Sequence, residues 1–136
     1  MSVFRTPQVI LFSDDLPRAV DFYRRLGFTE TFRVPTDGEP THVDLVLDGY
    51  KIGIASAAST RDDHGLDPII DGHRAAVILW TDDTAAAYEA LVAGGAPALA
   101  SPYAWLGRLL IAWTADPDGH PLQIVQPLTR PATAQR

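Results

Sequence analysis

The chain repeats itself, and that repeat limits its fold more than any other feature. The segment QVILFSDDLPRAVDFYRRLGF, starting at Gln8, is matched without a gap by AVILWTDDTAAAYEALVAGGA, starting at Ala76. Asp14 and Asp15 meet Asp82 and Asp83, Ala19 meets Ala87, and Gly27 meets Gly95. Each copy reads as a short apolar strand, an aspartate able to cap a helix, and a helical stretch stopped by glycine. In the first copy Leu16, Val20, Tyr23 and Leu26 recur at helical spacing. Both copies continue into strand-like stretches with an Asp-Gly pair suited to a hairpin turn: VDLVLDGYKIGIA around Asp48-Gly49, and IAWTADPDGHPLQIV around Asp118-Gly119.

The pattern predicts an α+β domain built from two βαβββ modules, one over about residues 7–56 and the other over about 73–127. The polar segment 57–72 reads as the linker, and 128–136 reads as a frayed tail. In such a module the helix covers one face of the sheet and leaves the other apolar. Pairing two sheets removes that face from water and encloses a central cavity, within one chain or between two chains that exchange halves.

Composition narrows the chemistry. The absence of cysteine removes disulfides, thiolate nucleophiles and Cys-ligated metals. A net charge of −6 without a basic stripe disfavours nucleic acid. The opening MSVFRTPQVILF carries no basic leader, and no apolar run is long enough to span a bilayer, so the expected location is cytoplasmic with no membrane partner. The aspartate pairs sit where strand meets helix, and capping accounts for them better than paired-carboxylate catalysis. Nothing resembles a phosphate loop, a nucleophile elbow or an HExxH pair.

SDDLPRAVDFYRRLGF is similar to the first strand-helix signature, and ADPDGHPLQIVQP to the closing hairpin and last strand, of the vicinal oxygen chelate superfamily, the glyoxalase, bleomycin-resistance and extradiol dioxygenase group. The resemblance runs over roughly residues 7–127 and is nearest to the bleomycin-resistance branch, small dimeric proteins that sequester antibiotics unchanged. It implies the glyoxalase/bleomycin-resistance fold and a homodimer. Trp105, in PYAWLGR, lies near that branch's ligand-stacking tryptophan.

The metalloenzymes of this superfamily hold a divalent ion with one residue from the first and last strand of each module. The matching positions here are Gln8, Gly53, Ala76 and Gln123, two of which cannot ligate. Two neutral amides offer no charge against the cation's lost hydration, so no metal, cofactor or catalytic residue is expected. The histidines read as strand beginnings (His42, His73), linker (His64) and turn (His120), none with a ligand-spaced acidic neighbour on the same strand face. Gln8 and Gln123 either bond each other or water, or orient a ligand's polar group.

Strand alternation then turns Gln8, Ile10 and Phe12 inward from the first copy, and Ala76, Ile78 and Trp80 from the second. Lys51, Gly53 and Ala55 join them, as do Gln123 and Val125. Tyr103 and Trp105 read as loop residues with Pro102 and Gly107, facing a ligand or a second subunit. Trp113 reads as lining or as core. The expectation is an apolar, aromatic receptacle that sequesters a small aromatic molecule, an antibiotic natural product among the candidates. The alternative is a superfamily enzyme, an isomerase, lyase, cyclase or dioxygenase, with Lys51, Arg108, Gln8 and Gln123 as its polar groups. A weaker third possibility is a regulatory or scaffolding surface.

Overall fold

A computed structural model describes residue 3 and residues 5–128. The chain forms two compact units, the first ending at Gly72 and the second starting at His73. The first runs β1 (Val9–Ser13), α1 (Leu16–Arg25), β2 (Thr29–Val34), β3 (His42–Leu47), β4 (Tyr50–Ser56) and α2 (Ala57–His64). The second runs β5 (Val77–Trp80), α3 (Thr84–Ala93), β6 (Ala100–Trp105), β7 (Leu109–Ala115) and β8 (Pro121–Pro127). Each holds a four-stranded mixed sheet with the same connectivity, β1-β4-β3-β2 and β5-β8-β7-β6, whose first pair is parallel and the rest antiparallel. The duplicated α+β architecture read from the repeat is therefore present. Among the described residues no helix is long and apolar enough to cross a membrane.

The aspartates cap as expected. Asp15 accepts a hydrogen bond from the Arg18 amide at 3.2 Å, and Asp83 does the same from Ala86 at 3.0 Å. Asp48 and Gly49 both take left-handed conformations, φ 52° and 82°, which closes the β3–β4 hairpin as a two-residue turn. The Asp118-Gly119 hairpin is longer: Asp116 accepts the amides of Asp118 and His120, each at 2.9 Å, and shapes a loop between β7 and β8.

The helix-covered faces differ in how they are filled. In the first unit α1 lies on β3 and β4, and Leu16, Ala19, Val20 and Tyr23 are buried with Leu11, Val43, Leu45 and Ile54. Tyr23 meets Phe22 and Phe28 edge-on at 5.3 and 5.4 Å. In the second unit Thr84 is the one buried residue of α3. That helix is tied down by polar contacts: the Thr84 amide donates to Gln126 Oε1 at 2.7 Å and its hydroxyl to the Leu110 carbonyl at 3.0 Å.

The segment expected as linker, 57–72, begins with α2. Ser56 caps it by accepting the Ser59 amide at 3.1 Å, Ala57 and Thr60 are buried, and Gly65 ends it in the left-handed region. The tail expected over 128–136 lies, beyond Leu128, outside the described residues.

Candidate functional site

Register assigns every strand residue to a face, and the face turned away from the helix carries the candidate residues in both units. In the second unit Trp80, Val125, Ile111 and Tyr103 form one row across the sheet. Ile78, Gln123, Trp113 and Ala100 form the next, and Trp105 continues along β6 beside Leu109. Trp80 is 64% exposed, Ile78 55%, Trp105 50% and Tyr103 40%, so the rings lie open rather than packed as core. Val125 and Ile111 beneath them are buried and form an apolar floor. The Trp113 indole N–H donates to the Tyr103 hydroxyl at 3.0 Å, which orients both rings. A cavity of about 580 Å³ adjoins Trp113, Ala76, Ala100 and Pro121.

Tyr103 and Trp105 are thus strand residues, which corrects their assignment to a loop. Their alternation about Ala104 is the period of a strand. Pro102 sits on the edge strand where the register shifts between Ala100 and Tyr103, a place that does not need its missing N–H. The real turn is Leu106-Gly107, both left-handed, closed by the Arg108 amide donating to the Trp105 carbonyl at 3.2 Å. Arg108 is exposed at that turn. Trp113 shares the open face, which fixes the orientation that sequence alone leaves undecided.

In the first unit the corresponding face is polar at its centre. Ile10, Gly53, Asp44 and Phe32 form one row, and Phe12, Ala55, His42 and Val34 the next, with Lys51 exposed on the same side of β4. Asp44 Oδ1 accepts a hydrogen bond from Gln8 Nε2 at 2.9 Å and lies 2.8 Å from His42 Nε2. Phe32 meets the His42 ring edge-on, 6.2 Å between centroids. Gly53 makes room for this group: a Cβ at that position would lie 3.1 Å from Asp44 Oδ1, Gln8 Nε2 and His42 Cε1 alike.

His42 and Asp44 therefore overturn the expectation that no histidine has an acidic neighbour on its own strand face. They stand two apart on β3, the spacing that places both side chains on one side of a strand, so HVD was a legible signal. His120 has an acidic partner as well, Asp116 Oδ2 at 2.7 Å from Nδ1, but in a loop. The hydrogen bond to Asp116 raises the His120 pKa above its ordinary value, against the opposing effect of burial.

The four positions that would hold a superfamily metal do not suit one. Gly53 and Ala76 bring no ligating atom, and the space above Gly53 is taken by neighbouring head groups. Among the described residues no three His, Cys, Asp or Glu side chains converge.

A family profile described as the Glyoxalase/Bleomycin resistance protein/Dioxygenase superfamily matches residues 5–124. Solved structures match over nearly the whole chain. One is a glyoxalase/bleomycin resistance protein/dioxygenase from Nocardioides, 21% identical, covering 100% of this chain and 91% of its own, with a TM-score of 0.75. Another is the hypothetical protein SA1046 from S. aureus, 16% identical, covering 92% of this chain and 95% of its own, TM-score 0.77. A third is TioX from Micromonospora sp. ML1, 25% identical, covering 92% of this chain and 100% of its own, TM-score 0.71. No curated protein matches.

Proposed function

From the premise that the chain belongs to the glyoxalase/bleomycin resistance protein/dioxygenase superfamily, we propose that it is a small-molecule-binding protein that sequesters a flat aromatic ligand. The observation that carries this reading is the exposed ring face of the second unit, with Trp80, Tyr103, Trp105 and Trp113 on one side of one sheet. Rings that open onto solvent over a buried apolar floor suit a planar molecule. Each ring-on-ring contact adds about 0.5–1.5 kcal/mol beyond the area it covers. The net charge of −6 favours a neutral or cationic ligand over an anionic one. An antibiotic natural product fits this description, and holding it would protect a cell by lowering its free concentration. Exposed Ile10, Phe32 and Val34 on the first unit's open face, together with the second unit's rings, also support assembly with a second copy of the chain.

Tryptophan fluorescence titrated with planar aromatic compounds, followed by mass analysis of the recovered compound, tests the reading. Quenching that saturates, with the compound recovered unchanged, is expected. Saturable binding with conversion of the compound would replace sequestration with the enzyme alternative. Absence of binding across cationic, neutral and anionic planar probes would overturn both.

A further inference from the structure

We infer that the ligand of the second unit's ring face carries an apolar arm ending in a carboxylate, and that the cavity beside Trp113 receives this arm. The inference rests on the reading of the ring face as a ligand platform and adds the chemistry of the ligand's far end. Trp113 belongs to both places: it shares the open face with Trp80 and Tyr103, and it forms part of the wall of the cavity of about 580 Å³. Ala100, its partner on β6, is a second wall residue. Pro121 is a third, two residues before Gln123 on β8 and therefore on the same side of the sheet. From Val125, in the row of Trp80 and Tyr103, to Pro121 the strand advances about 13 Å. A flat body on the rings thus lies one short chain away from the cavity.

The lining decides the chemistry of the arm. Ala76, Ala100, Leu99, Pro121 and Trp113 present hydrocarbon, so an arm running between them gains by leaving water. Among the residues lining the cavity Arg74 is the one formal charge, with His73 beside it and no carboxylate in the wall. That local sign opposes the net charge of −6. The two act over different ranges: salt screens the charge of the whole chain beyond about 8 Å, whereas Arg74 stands at the cavity itself. Arg74 is exposed, and among the described residues it has no ion pair, so its donors are open to a ligand. A guanidinium matches a carboxylate with two parallel hydrogen bonds. A neutral or cationic flat body with a carboxylate at the end of its arm satisfies both the field of the chain and the charge at the cavity.

The test is calorimetric titration of the full chain with N-substituted naphthalimides, flat neutral probes that differ only in the arm: methyl, hexyl, carboxypentyl or ammoniohexyl. The hexyl compound should bind at least about tenfold tighter than the methyl compound, since each methylene fully taken from water is worth about fourfold. The carboxypentyl compound should bind about fivefold tighter than the ammoniohexyl one, and Arg74→Glu should reverse that order. Ala76→Asp, at an exposed position on the wall, should erase the hexyl gain by setting a charge against the arm. Equal affinity for the methyl and hexyl compounds, or for the carboxypentyl and ammoniohexyl compounds, in the unmodified chain would overturn the inference and leave the ring platform standing. If none of the four binds, the platform falls and the inference with it.

Discussion

The two units share one topology and one capping scheme, yet their open faces have become opposites. Over Gly53 the first unit gathers Gln8, His42 and Asp44; at the matching rows the second presents Trp80, Ile78, Gln123 and Trp113. Their helix-covered faces differ in the reverse sense. The first unit buries an aromatic cluster around Tyr23, whereas the second leaves the counterpart position, Leu91, half-buried. The duplicated backbone is thus packed differently in its two copies, and the open face of the second unit leaves the rings of Trp80, Tyr103 and Trp105 exposed.

The sharpest break between the units should appear in stability. Tyr23→Ala is expected to cost about 3–5 kcal/mol and Leu91→Ala only about 1–2 kcal/mol, read from urea unfolding. If both cost the same, the units are packed alike and the contrast fails. Next in size is binding. Trp80→Ala or Trp105→Ala should weaken a planar ligand by about 1–2 kcal/mol, while Phe32→Ala on the other open face should leave its affinity unchanged in the fluorescence titration. The caps should behave alike in both units: Asp15→Ala and Asp83→Ala each remove about 1 kcal/mol.

The smallest effect belongs to His120 and depends on pH. Its folded pKa is raised by Asp116, so its ion pair contributes fully below the unfolded value near 6.5 and fades as pH rises through the higher folded value. Unfolding at pH 5.5 and pH 9 should show His120→Asn losing more stability, relative to the unmodified chain, at the acid end. Equal loss at both ends would mean that the charge on His120 contributes nothing.

Local rules made much of this legible. The undivided 68-residue offset, the aspartate caps and the Asp48-Gly49 turn are short-range chemistry, and the structure carries each of them. Alternation also sets Ile10 with Phe12 on one side of β1, and Ile78 with Trp80 on one side of β5. What escaped depended on neighbours distant in sequence. Tyr103 and Trp105 looked like loop residues because Pro102 and Gly107 flank them, and only the register with β7 shows the edge strand that tolerates both. The meeting of Gln8, His42 and Asp44 depends on the β3–β4 register, which sets Gly53, without a side chain, beside Asp44. The helix at Ala57–His64 escaped because its polar surface has little apolar periodicity, and its Ser56 cap was the one available sign.

The most direct test of the central contrast is a ¹H–¹⁵N correlation spectrum of the full chain, recorded while ethidium, a planar cation, is added. The account predicts progressive shifts of the three indole N–H signals, from Trp80, Trp105 and Trp113, with the Gly53 amide signal unmoved. Shifts centred on Gly53 and its neighbours, with the indoles unchanged, would contradict it.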